Sequence, residues 1–382
     1  ASGSQIVDST GANALDSNGL IDTDAKTFWL PSGQSADGNL VAQGGVNYHL
    51  SSLTGSDLEN RRKIYTDKQG GIVRFTSSIV NEVLDLVPDN SILLSDSDIK
   101  WTMGIDVDDE DSDNSTTDQR QNIFGDPLHS KPVALDYGNN DIRILIGTNA
   151  GFLHMFKDDD VNNTVSESWA FIPSELYDII KPLRTKETGK KYGMDGPISV
   201  YFNNKSLNSD GLNDGIIDAS GDDKVWAFAG MRRGGENYYA LDITNPDEPK
   251  KLWDNPIEGG KGQFQELGQT WSKPQIAYIK AFGDKPLLVF GAGYDTNKDA
   301  VIKSEDSVGR GIYIVEAETG KRVWALTPNI NGFKGKHSIA ANITTLDSDY
   351  DGYIDRIYAA DTGGDVWRID MPGTNTNDFS HF

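Results

Sequence analysis

Val225-Trp226-Ala227-Phe228-Ala229-Gly230 runs into a glycine-rich loop and returns as Tyr238-Tyr239-Ala240-Leu241-Asp242. Two short apolar runs of this kind, separated by glycines, predict a buried antiparallel hairpin. The same unit occurs three more times along the chain, which makes it an internal repeat. The further copies are Ile144–Gly147 with Gly151–Phe156, Leu287–Gly291 with Gly311–Val315, and Arg356–Ala360 with Gly364–Asp370.

Each hairpin is flanked by further strand signals. A small residue, a spacer and a proline lead into the strand before it, and a tryptophan marks the strand after it. The leading motifs begin at Ser130, Asp195, Ser272 and, more weakly, Ser338, and the following strands contain Trp169, Trp253 and Trp324. Four strands per repeat make a four-stranded antiparallel sheet, and stacking such sheets around an axis covers their apolar faces and protects their edges. We therefore predict an all-β fold, a β-propeller of four-stranded antiparallel blades with tryptophans packed in its core.

The repeats are longer than the roughly 40–50 residues of a plain blade, so the blades must carry loop insertions. Candidate insertions are Lys181–Tyr192, Asn203–Asp223, Asn255–Gln269 and Asp295–Gly309. We expect a modified, seven-bladed propeller over residues 38–372, with residues 373–382 as a C-terminal tail and residues 1–37 as an N-terminal extension or the first strands. The remaining blades would lie, in degenerate form, within residues 1–125, with strands at Gly38–Ala42 and Arg62–Thr66 and a short helix at Val80–Leu86.

Composition excludes several classes of function. The chain has 382 residues, of which 37% are hydrophobic, and it contains no cysteine. A thiolate nucleophile, a Cys-ligated metal and a disulfide framework are therefore excluded. The net charge of −23 repels phosphate backbones, so we expect no nucleic-acid partner. No apolar run reaches the roughly 18 residues of a membrane span, and the start at Ala1 lacks the features of a signal peptide, which favours a soluble piece of a longer protein.

One acidic stretch has the spacing of a calcium-binding loop, Asp347-Ser348-Asp349-Tyr350-Asp351-Gly352-Tyr353-Ile354-Asp355. Ca²⁺ binds six to eight oxygens, which a loop can supply from alternate positions if it turns sharply at the sixth. The predicted ligands are side-chain oxygens of Asp347, Asp349, Asp351 and Asp355 and the backbone carbonyl of Tyr353, with Gly352 at the turn. The twelfth position is Tyr358 rather than Glu, so Asp355 would be the closing ligand, and the flanking runs place the loop on a β-hairpin. The alternative is a solvated acidic turn.

Other acidic stretches carry weaker signals. Asp210–Asp218, with Asn208 just upstream, has Leu212 at the third position, and calcium and a plain acidic turn are equally compatible with it. Asp106–Asp113 and Asp16–Gly19 are interpreted as solvated loops.

Several motifs occur in the order found in one known family. They are Gly38–Val41, Arg62–Tyr65, Phe124–Val133, Ala170–Ser174, Tyr239–Asp242 and Asp361–Asp370. With these motifs the chain resembles the C-terminal propeller of the PilY family of type IV pilus biogenesis factors and tip adhesins, over about residues 38–372. The resemblance implies a calcium loop just before the closing blade, where Asp347–Asp355 stands. It also implies an extracellular, surface-exposed module at the pilus tip that works with minor pilins in pilus extension and twitching motility, and with host-cell or abiotic surfaces in attachment. Some members carry an Arg-Gly-Asp motif, and this chain has none, so integrin binding is not carried over.

The competing interpretation is an enzyme, because similar propellers form the quinoprotein (PQQ-dependent) dehydrogenases. Against it, the chain has too few repeats for eight blades, lacks adjacent cysteines and gathers its carboxylates in one local loop. The histidines, His49, His129, His154, His337 and His381, each stand singly, and no Gly-x-Ser-x-Gly elbow is present. We therefore expect a binding module without catalytic residues.

Overall fold

The computed structural model describes residues 5–30, 33–40, 43–68, 71–84, 94–205, 207, 213–302 and 304–382. Within these residues the strands form one six-stranded sheet and three four-stranded sheets. The chain divides into two compact units. The first contains Ala1–Asp126, Pro132–Lys191 and Asp214–Asp218, and the second contains Pro127–Lys131, Tyr192–Asn213 and Ala219–Phe382.

The first unit contains the six-stranded sheet and the α-helices. Its helices are α1 Gly45–Ser51, α2 Ser77–Leu84, α3 Asp96–Thr102 and α4 Tyr177–Arg184, and its strands are β1 Ile64–Lys68, β2 Gly71–Arg74, β3 Val133–Asp136, β4 Ile142–Gly147, β5 Leu153–Asp159 and β6 Thr164–Ile172. The strand order is β2-β1-β6-β5-β4-β3. Strands β3 to β6 are the first predicted blade, and β1 joins the edge of β6 in parallel.

The stretch before residue 126 differs from the prediction. Its described residues add the hairpin β1–β2 to the first blade and form no further four-stranded sheet of their own. Strand β6 buries its last four residues, so its free edge needs a partner for its backbone groups, and β1 supplies one. The predicted strand at Arg62–Thr66 and helix at Val80–Leu86 correspond to β1 and α2. Gly38–Leu40 is a turn rather than a strand, and residues 41, 42, 85 and 86 lie outside the described residues.

The second unit contains three four-stranded sheets in simple chain order. Their strands are β7 Ile198–Asn203, β8 Lys224–Gly230, β9 Tyr238–Asp242 and β10 Lys250–Lys251, then β11 Gln275–Ala277, β12 Leu287–Gly291, β13 Ile312–Glu316 and β14 Arg322–Leu326, then β15 Thr344–Leu346, β16 Arg356–Ala360, β17 Val366–Asp370 and β18 Ser380–His381. All pairings within these sheets are antiparallel. The predicted unit of a strand, a hairpin and a further strand is therefore confirmed in each sheet.

The middle sheet, β11–β14, buries both of its faces. Along β12, Leu288 and Phe290 pack in one apolar cluster with Phe228 and Trp253 of the preceding repeat. Leu287 and Val289 point the other way, into a second cluster with Ile357 and other residues of the following sheet. Because successive side chains of a strand point to opposite faces, a strand between two sheets must be apolar at every position. This face-to-face stacking is the packing that the propeller prediction requires.

The fourth sheet extends further than the sequence suggested. Its outer strand, β18, lies in the predicted tail and pairs with β17 through Asp370 and Ser380. Four sheets are present in the described part of the chain, and the count of seven blades stays a prediction. Among the described helices, none combines the length and the apolarity needed to cross a membrane.

Candidate metal centre

The acidic loop of residues 347–355 connects β15 and β16, as the sequence predicted. Leu346 and Arg356 are paired on either side of it, and the Asp355 N–H donates to the Leu346 carbonyl at 3.0 Å. The loop reverses direction with positive φ at Tyr350 (60°) and Gly352 (91°). Glycine adopts this left-handed conformation at low cost, which explains its place at the sixth position of the loop.

Three of the four predicted carboxylates converge. Asp347, Asp349 and Asp355 each place one oxygen within 4.8 Å of the other two. Oxygens that bind one Ca²⁺ at about 2.3–2.6 Å lie within roughly this distance of one another. The donor set is therefore hard, anionic and of the right spacing for calcium.

The two carboxylate oxygens of Asp355 have different surroundings. Its Oδ2 accepts hydrogen bonds from the backbone N–H (3.0 Å) and the hydroxyl (2.7 Å) of Ser348. Its Oδ1 is buried and has no hydrogen-bond partner among the described residues. A buried carboxylate oxygen without a donor is costly, and a bound cation would compensate it.

Backbone donors hold the first carboxylate in place. Asp347 accepts the N–H of Asp351 at 3.2 Å on Oδ1 and the N–H of Gly352 at 2.8 Å on Oδ2. These bonds fold the loop back over Asp347. The loop therefore orients a ligand oxygen through its own backbone.

Asp351, the remaining predicted carboxylate, lies outside the group of three. It is in contact with the ammonium of Lys280, and its Oδ1 accepts the Tyr353 N–H at 3.0 Å. This contact lowers the pKa of Asp351 and raises the pKa of Lys280. Tyr353, predicted to offer its carbonyl, donates its hydroxyl to Asp284. Both Lys280 and Asp284 come from the connection between β11 and β12, and no local spacing in the sequence points to them.

The other acidic segments of the sequence give less support for a metal site. Asp109, Asp111 and Asp113 also place their carboxylates within 4.8 Å of one another, in a stretch that the sequence analysis interpreted as a solvated loop. These side chains are largely exposed, and we assign them no ligand. Residues 210–212 of the weaker candidate, Asp210–Asp218, and the upstream Asn208 lie outside the described residues. The Ile217 N–H of the same candidate donates to the Asp136 carbonyl at 2.8 Å. Asp16 accepts the Asn18 and Leu20 N–H groups, as in an ordinary turn.

A buried polar network in the first unit was not anticipated. Glu167 accepts two hydrogen bonds from Arg62 at 2.7 Å each, and His154 Nδ1 lies 2.8 Å from Glu167 Oε1. His154 also stacks on Phe156. Burial raises the pKa of Glu167, but Arg62 and His154 outweigh burial and lower it to about 2. Burial lowers the pKa of His154, and Glu167 offsets only part of that effect.

Comparison with known proteins places the chain in a family. The family model described as the PilY1 beta-propeller domain matches residues 132–381, more than half of the chain. The type IV pilus biogenesis factor PilY1 of Pseudomonas aeruginosa strain UCBPP-PA14 is 27% identical over 290 residues, which cover 68% of this chain and 22% of that protein. A PilY1 homologue of Xylella fastidiosa is 29% identical over 235 residues, 60% of this chain and 14% of that protein.

A solved structure adds a further similarity. The crystal structure of the Pseudomonas aeruginosa PilY1 C-terminal domain is 27% identical with a TM-score of 0.41, covering 61% of this chain and 39% of that one. The chain spans about a fifth of the length of the Pseudomonas relatives. The resemblance found in the sequence is confirmed by the family match, and with it the β-propeller fold: the chain belongs to the PilY1 beta-propeller domain family.

Proposed function

We propose that this chain is a calcium-binding, surface-exposed propeller of a type IV pilus biogenesis factor and adhesin, which supports pilus extension, twitching motility and attachment. Its relatives are named as type IV pilus biogenesis factors, which supports a role in the pilus. The single observation that carries the calcium assignment is the convergence of the carboxylates of Asp347, Asp349 and Asp355.

Asp347, Asp349 and Asp355 would hold the ion, with Asp351 and the Tyr353 carbonyl completing the predicted set. When bound, the ion supplies the positive charge that these carboxylates lack. Residues of the loop itself hold the carboxylates in position. Backbone N–H groups fix Asp347, and Ser348 fixes Asp355. With the mutual repulsion of the carboxylates removed, the hairpin β15–β16 would be held in its ordered form.

The partners we propose follow from the family rather than from a surface of the chain. They are the minor pilins of the pilus tip complex and, in attachment, a host-cell or abiotic surface, with the module outside the cell at the pilus. We propose that it has no enzymatic activity. The quinoprotein dehydrogenase alternative needs carboxylates that converge from several blades, whereas the group described above lies within one hairpin loop.

Calorimetric titration tests the calcium site. Asp349→Asn is the informative variant, because the described contacts of Asp349 do not include a hydrogen bond to the loop backbone, and the amide keeps its size. We expect wild-type protein to bind one Ca²⁺ and Asp349→Asn to bind it at least tenfold more weakly. Asp365→Asn, an exposed aspartate in the next turn of the same sheet, is the matched control and should bind as wild type does. Equal affinity of wild type and Asp349→Asn would refute the assignment.

A further inference from the structure

A lysine from another sheet reaches the proposed calcium loop. Lys280 begins the short 3-10 turn Lys280–Phe282 in the connection between β11 and β12. Its ammonium contacts Asp351 and lies 4.0 Å from Asp349 Oδ2. A positive charge therefore already neutralises part of the loop, at Asp351, the fourth predicted carboxylate.

We propose that Lys280 is a tethered competitor of calcium and sets the affinity of the site. In the metal-free protein its ammonium holds Asp351 away from the other three carboxylates. When Ca²⁺ binds, Lys280 must give up Asp351, and its charge then opposes that of the incoming ion. This inference rests on the proposed calcium site and adds a residue that no ligand spacing would reveal.

Lys280 can release Asp351 while the backbone stays in place, because other contacts hold the hairpin. The Ile354 N–H donates to the Tyr278 carbonyl at 2.8 Å, and Tyr353 donates its hydroxyl to Asp284. The hairpin is thus anchored to the β11–β12 connection at two points besides Lys280. The Lys280 side chain is 43% exposed and flexible, so it can swing into water while both anchors hold. Only the side-chain contact has to change.

Electrostatics predicts in which direction, and by about how much, the Lys280 charge changes the calcium affinity. A unit charge a few ångströms from a divalent ion is repelled by it even near a solvated surface, and salt reduces this repulsion. Removing the Lys280 charge should therefore raise calcium affinity about three- to tenfold at low ionic strength, and less at high salt. It should also destabilise the metal-free hairpin, because Asp349 and Asp351 lose their counter-charge.

Calorimetric titration of Ca²⁺ into wild type, Lys280→Met and Lys285→Met tests whether Lys280 itself competes with the ion. Lys285 lies in the same connection and pairs with Glu316 at 2.8 Å, so Lys285→Met removes an equal charge away from the loop. We expect Lys280→Met to bind Ca²⁺ three- to tenfold more tightly, and to melt at a lower temperature than wild type in a calcium chelator. Lys285→Met should keep the wild-type affinity.

The outcomes distinguish this inference from the function on which it rests. If wild type binds Ca²⁺ and Lys280→Met binds it equally or more weakly, the site stands and the competition is overturned. An equal gain in calcium affinity in Lys285→Met would also overturn it, since the change in the overall charge of the protein would then explain the gain. If neither wild type nor Lys280→Met binds Ca²⁺, the proposed calcium site itself is wrong.

Discussion

One buried group of side chains links burial with the pH dependence of stability. It consists of Arg62, His154 and Glu167. Their side chains are at most 3% exposed, so the buried charges of Arg62 and Glu167 depend on each other for compensation. Glu167 stays ionised because Arg62 faces it, and His154 stays neutral because burial disfavours its cation. Removing Arg62 would leave the Glu167 charge buried without its partner. We expect Arg62→Met to lower the free energy of unfolding by about 3–5 kcal/mol, measured by denaturant titration.

The same network predicts a loss of stability in acid. The pKa of His154 is lowered in the folded protein, so the unfolded chain binds the proton first, and stability falls as pH drops below 6.5, the ordinary value. Glu167, with its folded pKa lowered from 4.5 to about 2, adds a second loss as pH falls below 4.5. His154→Asn keeps a donor for Glu167 but does not titrate. Its melting temperature should therefore vary less than that of wild type between pH 6.5 and 5, and an identical profile would contradict the assignment to His154.

The oxygens of the acidic loop also predict ion selectivity. Mg²⁺ requires a tight octahedron at about 2.0–2.1 Å, whereas Ca²⁺ accepts more ligands at longer distances. Asp347, Asp349 and Asp355 are spread over a loop of nine residues, and hydrogen bonds hold the carboxylates of Asp347 and Asp355 within it. We expect Mg²⁺ to bind at least tenfold more weakly than Ca²⁺ in parallel calorimetric titrations. Equal affinities would indicate a diffuse acidic patch.

Among the elements, the last strands of the sheets β7–β10 and β11–β14 show the role predicted for tryptophan. Trp253 follows β10, is buried in the cluster between β7–β10 and β11–β14, and donates its Nε1–H to the Ala317 carbonyl at 2.8 Å. It therefore joins two sheets by both packing and a hydrogen bond. Trp324, in β14, is only partly buried.

Truncating these two side chains should have unequal effects. Trp253→Ala removes a large buried ring and leaves the Ala317 carbonyl unpaired, so we expect a loss of about 3–5 kcal/mol in the free energy of unfolding. Trp324→Ala should cost less. Trp253→Phe retains much of the packing and should lie between wild type and Trp253→Ala. Urea denaturation of the three variants measures this order, and a larger loss for Trp324→Ala would contradict it.

Elements with a strong local pattern could be predicted from the sequence. Strands β8 and β12 are apolar runs that end at glycine and are buried along almost their whole length. Strands β16 and β17 instead alternate between buried and more exposed positions, which is the pattern of a strand with one buried face. Within the first 125 residues the strand β1 could be predicted, but its parallel pairing with β6 could not, since that pairing is made by backbone groups that leave no periodic signal. Likewise β18 has only two residues, too few for a pattern.

At the scale of the whole molecule, the proposed calcium site combines residues of one loop with a residue from a different sheet. The carboxylates of Asp347, Asp349 and Asp355 come from one loop, so their spacing was sufficient to predict that they converge. Asp351 has the same spacing, but its position depends on Lys280, which enters from a different sheet. Contacts of that kind arise from the packing of repeats and are not encoded in the loop. Calcium loading would therefore act on the closing hairpin and on the sheet before it together.

This coupling predicts an effect in the cell. If the ordered hairpin is needed for pilus extension, bacteria that carry Asp349→Asn in the full-length protein should show fewer surface pili and a smaller twitching zone than wild type. The protein should be present at the wild-type level, because Asn at this position keeps the loop's backbone hydrogen bonds. A strain with Asp365→Asn controls for the loss of one exposed charge and should behave as wild type. Normal piliation, motility and attachment in the Asp349→Asn strain, together with lost calcium binding in vitro, would show that the ion stabilises the hairpin without controlling the pilus.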